Sequence, residues 1–163
     1  MYIISKLKQY GLQIKELVTV WVSVLHPISE YAAPLWHSGL TVKDTSNLEM
    51  LQKKVLTIIL GSVYIDNRKY YKVENKPYTY DKTLQLIGLT SLQCRREVLT
   101  SKFALNAVLS QNHSSMFEKN YTDCMITRNR LIYKEPKCKT HRYYNSAIPY
   151  MTRILNEMWQ NAK

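Results

Sequence analysis

Thr45–Gly61 reads TSNLEMLQKKVLTIILG, and this stretch decides the fold class. Leu48, Leu51, Val55, Ile58 and Ile59 recur at steps of three and four, which places them on one face of a helix. Ser46 stands where an N-cap belongs, and Glu49 three residues later completes a capping box. Gly61 sits where a left-handed C-terminal cap is expected. A capped amphipathic helix of this length needs other helices to cover its apolar face.

Those helices are legible on both sides. Upstream, Ile14, Leu17, Val18, Trp21, Val22 and Leu25 predict a helix over about 14–25, and Gly11 separates it from a shorter one that starts at or before Met1. MYIISKLKQYG lacks an N-cap and reads as the middle of a helix, which suggests a truncated chain. The stretch HPISEYAAPLWHSGL, His26–Leu40, follows. Pro27 removes a backbone donor and should kink or restart the helix, and Pro34 imposes a second break or a fresh start. Ile28, Tyr31, Ala32 and Leu35 fit a helical face.

Downstream, residues 62–80 lack helical period, are rich in Tyr and charge, and read as a long loop with room for one short strand pair. YDKTLQLIGL predicts a short helix capped near Asp81 and stopped at Gly88. A long helix enters at Thr90 or Ser91, with a stripe of Leu92, Leu99 and Phe103 and with Leu105 and Leu109 beside it. Residues 111–145 read as a long basic loop. A last helix starts near Ser146 or Pro149 and carries Ile148, Met151, Ile154, Leu155 and Trp159 on its apolar side. The expectation is one all-α domain over 1–163, a bundle of about five to seven helices. Its parts are the first helices and the corner (1–61), a loop (62–80), helices (81–110), the basic loop (111–145) and a C-terminal helix (146–163).

Composition narrows the function classes. Four glycines in 163 residues is about a third of ordinary usage, which argues against Gly-rich phosphate loops and hairpin-rich sheets. The longest apolar run, Leu17–Leu25, is far short of the ~20 residues of a spanning helix, so no membrane role is expected. Three cysteines make an odd count, which suits a reducing, intracellular setting better than a disulfide framework. The net charge is +11, and residues 61–163 carry +9 of it. That bias favours a polyanionic partner, nucleic acid ahead of a membrane surface, although basic surfaces that serve solubility alone are common.

Catalytic chemistry finds little support. The twelve acids include no Asp-Asp pair and no Asp-x-Asp spacing of the kind that holds metal ions for nucleotidyl transfer. Asp44, Glu49, Asp66, Glu74 and Asp81 read as caps and surface. The histidines His26, His37, His113 and His141 have no local triad partners, and His37 reads as a turn-ordering residue. Cys124, Cys138 and His141 fall one ligand short of a structural zinc site. No cofactor is expected. Residues 119–144 differ in kind: Arg128, Arg130, Lys134, Lys137, Lys139 and Arg142 alternate with Tyr121, Tyr133, Tyr143 and Tyr144. Cations neutralise phosphates and aromatic faces stack on unpaired bases, while the competing reading is a solvated loop wrapping over the helices.

Read together, YIISKLKQYG, LHPISEYAAPLWHSGLT, SNLEMLQKKVLTIILG, YDKTLQLIGLTSLQCRREVLTSKFA and SAIPYMTRILNE resemble, in order and spacing, the region after the polymerase core in non-LTR retrotransposon reverse transcriptases of the jockey, CR1 and RTE sort. The blocks Glu30–Gly61 and Leu89–Ala104 are the most specific, and Arg95-Arg96 matches the basic pair of the family. Gln52-Lys53-Lys54 departs mildly from its usual Gln-Lys-Arg, and residues 62–80 and 110–140 match loosely.

The resemblance implies a non-catalytic, thumb-like helical module of an RNA-directed DNA polymerase. The palm, with its aromatic-Ala-Asp-Asp motif, and the endonuclease would lie outside this chain. It also implies that His26–His37 is a packing corner, in which Tyr31, Pro34 and Trp36 join the helix before it to the capped helix after it. The implied partners are RNA or an RNA/DNA template–primer and the remaining polymerase domains. The residues expected to contact nucleic acid are Lys53, Lys54, Arg95, Arg96, Arg128 and Arg130, with Tyr133 and Tyr143 as stacking groups. For Arg95 and Arg96, pairing with Glu97 or with the 62–80 loop is the competing role. The rival reading of the whole chain is a structural scaffold or orphan fragment without a ligand, whose apolar stripes were meant for absent domains.

Overall fold

The computed structural model describes residues 2–61, 80–111, 113–120 and 131–161. They form an all-α fold with no sheet among the described residues. Its helices are α1 (Tyr2–Gln9), α2 (Ile14–Val20), α3 (His26–Ser29), α4 (Ala33–Trp36), α5 (Val42–Leu60), α6 (Tyr80–Ile87), α7 (Leu92–Leu109), α8 (His141–Tyr144) and α9 (Ala147–Asn161). The 62–80 loop lies outside the described residues except for Tyr80, which opens α6.

The chain divides into two compact units, Met1–Tyr31 with Thr41–Arg95, and Ala32–Leu40 with Arg96–Lys163. In the first, Ile4, Leu17, Trp21, Val55 and Ile59 form the core, with Leu7, Leu12, Val18 and Leu89 packed against it. The stripe Val55–Ile59 does what its spacing requires. Lys8 Nζ donates to the carbonyls of Ile58 and, at 3.0 Å, Ile59, so a cation satisfies acceptors that the end of α5 leaves open. In the second unit, Ala104 and Ala107 of α7, Met151 and Leu155 of α9, and Phe117 form a separate core. Asn156 locks the basic segment onto it: its side chain accepts from Tyr133 N–H at 3.0 Å and donates to Tyr133 C=O at 3.1 Å.

The expected helix over 14–25 continues further than periodicity indicates. A π turn at Trp21–Leu25 joins α2 to α3, with His26 N–H donating to Trp21 C=O. Pro27 explains the wide turn. Its ring clashes with the carbonyl four residues back and has no N–H to give it, so an extra residue per turn relieves the clash without ending the helix. The helix ends at Ser29, and Ala32, left-handed at φ 52°, separates it from α4 at a cost of about 1 kcal/mol. That break corrects the expected face Ile28–Tyr31–Ala32–Leu35: Ile28, Tyr31 and Leu35 are exposed. The inward residues are His26 and Glu30, one helical turn apart, and Ala33.

The cap of α5 is also corrected. Thr41, not Ser46, is the N-cap: its Oγ1 accepts from Asp44 N–H at 3.2 Å, and the Asp44 carboxylate accepts from Thr41 N–H at 3.3 Å. Thr-x-x-Asp is a capping box with a shorter acid, and it starts the helix one turn earlier. Ser46 is left on the exposed helix flank. On α7, the buried face is Leu92, Arg96, Thr100, Ala104 and Ala107, rotated from the predicted stripe. Phe103, Leu105 and Leu109 are exposed, because the small and polar residues, not the large ones, stand at the close approaches. On α9, Met151 and Leu155 are buried as expected, whereas Ile148 and Trp159 are exposed.

Candidate nucleic-acid interface

The sequence-predicted contact residues separate into those the fold uses internally and those it leaves outside. Lys53 and Lys54 lie on the second half of α5. Lys53 Nζ sits 4.8 Å from the centroid of the Tyr80 ring. Tyr80 in turn donates its hydroxyl to Glu49 Oε2 at 2.7 Å, and Gln93 N–H donates to Glu49 Oε1 at 2.8 Å. Glu49 therefore does not cap its own helix. It accepts from the open N-terminus of α7 and from α6, and this burial and hydrogen bonding raise the Tyr80 pKa. Lys53 belongs to that internal cluster, whereas Lys54, one position on, is exposed.

Arg96 is buried and Arg95 half-buried. Arg95 Nε and Nη2 make a two-point pair with the Glu30 carboxylate at 2.7 and 2.9 Å. The Glu30 side chain is 6% exposed and that of Arg95 32%. The hydrogen bonds to Glu30 push the Arg95 pKa up. For Arg95 the partner is Glu30, just after the end of α3, because a planar fork matches a carboxylate best; the expected 62–80 loop lies outside the described residues except for Tyr80. Arg96 is 1% exposed, and its guanidinium lies over the Trp36 ring at 5.9 Å. Nearby, His37 stands edge-on to Tyr150 at 5.9 Å. Burial, and then the charge of Arg96, lower its pKa.

Arg128 and Arg130 lie outside the described residues. Tyr133 is half-buried against the second core, edge-on to Phe117 at 6.3 Å. An antiparallel bridge, Lys119 with Tyr133, holds this part of the segment, and Lys134 is paired with Glu118 at 3.1 Å.

What remains outside is the stretch after it. From Pro136 to Asn156 the chain has no Asp or Glu and carries Lys137, Lys139, Arg142 and Arg153. Lys137, Lys139, Arg142, Tyr143 and Tyr144 are exposed. Thr140 is extended, and its Oγ1 accepts from Tyr143 N–H at 3.2 Å, which starts the single turn α8. Arg153 of α9 holds that turn in place: its Nη2 donates to Tyr144 C=O at 3.1 Å, and its guanidinium lies 3.8 Å from the Tyr144 ring centroid. Sequence reasoning missed Arg153, since a residue nine positions downstream on another helix leaves no local signal. The arrangement presents cations and an aromatic ring to solvent on a supported turn.

Other chemistry is thin. Among the described residues no three His, Cys, Asp or Glu side chains gather as a metal site. Cys124 lies outside them, and Cys138 donates its thiol to Pro136 C=O. No described helix is long and apolar enough to cross a membrane. Comparisons with family models, with curated proteins and with solved structures return no match.

Proposed function

We propose that this chain is a non-catalytic helical portion of an intracellular protein resembling non-LTR retrotransposon reverse transcriptases, and that it contacts RNA or a template–primer through basic side chains, independently of sequence. The observation that carries the nucleic-acid part is the carboxylate-free stretch Pro136–Asn156, in which exposed Lys137 and Lys139 lead into one braced turn that carries Arg142, Tyr143 and Tyr144. Released counterions supply the affinity of such a contact, which therefore falls steeply with salt. Lys54 is a further exposed cation of the predicted set. Arg95 and Arg96 leave the contact set and become positioning residues for the helices.

The test is binding of labelled RNA to the full chain across a salt series. Lys137→Gln, Lys139→Gln and Arg142→Gln together should flatten the log–log salt slope by about 2, at roughly 0.7 per phosphate for a single strand. An unchanged slope would remove the contact from this segment.

A second reading, a scaffold whose apolar faces meet other domains, is favoured by one feature. Ile14, Val18, Leu60, Leu86 and Ile87 line an open apolar groove of about 570 Å3 in the first unit. Under that reading the salt slope is shallow from the start.

A further inference from the structure

We infer, resting on the nucleic-acid reading above, that the α8 edge of the second unit takes single-stranded rather than duplex nucleic acid, with Tyr143 as the base-stacking side chain. The argument is one of accessible ring faces. Tyr133 is half-buried, with its ring edge-on to Phe117. The Tyr150 ring meets His37 edge-on. The Arg153 guanidinium lies over Tyr144. Tyr143 remains: it is 47% exposed, and no ring or cation among the described residues lies over it.

Its neighbours supply the charge. Arg142 precedes it directly, and Lys137 and Lys139 lead into the same turn. A base can lie on the Tyr143 ring only if it is unstacked from its neighbours, which a duplex forbids and a single strand allows. The cations attract both kinds of strand, so the preference comes from the ring and the general affinity from the charges. Arg153 makes the surface ready before binding. By closing the C-terminal end of α8 and stacking on Tyr144, it holds the turn on α9, so less ordering is needed when a strand arrives.

The experiment titrates the full chain with a labelled oligouridylate of about 16 nucleotides, the upper site size of a single-strand platform, and with a duplex of equal length, at one salt concentration. The expected result is several-fold tighter binding of the single strand. Tyr143→Ala should weaken it about five-fold or more, with little effect on the duplex, while Tyr143→Phe keeps wild-type affinity. Circular dichroism should show the same helix content in all three proteins. Equal affinity for both ligands, with Tyr143→Ala silent and the salt slope still steep, would overturn the stacking assignment and leave the phosphate contact standing. No binding of either ligand at low salt would overturn the nucleic-acid reading itself, and this inference with it.

Discussion

Arg95 and Arg96 are adjacent in sequence, yet each is committed to a different neighbour, Glu30 and Trp36. Side chains one position apart on a helix diverge by about 100°, so a basic pair need not form one basic patch. Arg95→Ala should cost about 2–3 kcal/mol, because it leaves the Glu30 carboxylate nearly buried and without its counter-charge. Arg95→Lys should recover only part, since a point charge cannot make the two-point contact. Urea unfolding midpoints measure both, and RNA affinity should not follow them. A large affinity loss at unchanged stability would return Arg95 to the contact set.

His26 is fully buried beside this pair, edge-on to Trp21 at 4.7 Å. Burial, and then Arg95, lower its pKa from 6.5 to about 4, against a smaller opposing pull from Glu30. The folded state therefore holds His26 neutral, while the unfolded chain takes a proton near pH 6.5. Its contribution to stability is complete above pH 6.5 and is lost as pH falls from there toward 4, by up to about 3 kcal/mol at 1.36 per pKa unit. His26→Phe should flatten that acid limb when unfolding is compared at pH 7 and pH 5. A wild-type curve flat over the same range would refute the assignment.

At the scale of elements, the start of α5 decides between the capping box expected from the sequence and one that the structure shows. Thr41-x-x-Asp44 is used and Ser46-x-x-Glu49 is not. Thr41→Ala should cost about 1 kcal/mol, the ordinary loss of an N-cap. Ser46→Ala should be neutral or slightly stabilising, because alanine is the better helix former at an exposed interior position. Thermal melts of the two variants decide between the caps. The unused box fails because Glu49 has stronger calls on it from Tyr80 and from the N-terminus of α7. A capping rule sees three residues ahead and cannot see a helix 44 positions downstream.

For the whole molecule, two separate apolar cores and a charge of +11 coexist with large exposed apolar side chains. Leu86 is one of these, 65% exposed in the groove of the first unit. Leu86→Lys should leave the melting temperature within about 2 °C, since surface substitutions rarely exceed ~0.5 kcal/mol, and should lower the fluorescence of an apolar dye bound by the native chain. A large drop in melting temperature would place Leu86 in the core instead.

The amino-acid sequence by itself determined the all-α class and the positions of the longer helices, because these follow from local terms such as apolar period and turn residues. The stop at Gly88 and the entry of α7 at Ser91 are such cases. It also determined the basic, carboxylate-free stretch that carries the functional proposal. It missed the single turn α8, inside the expected 111–145 loop, and the start of α5. Tertiary structure alone decided which cations face water. Arg95, Arg96 and Tyr133 match Arg142 and Tyr143 in residue type, and they differ only in the partners that distant segments bring to them. Those partners, Glu30, Trp36 and Asn156, lie 23 to 65 positions away where the hydrogen bonds are measured, beyond the reach of any local pattern.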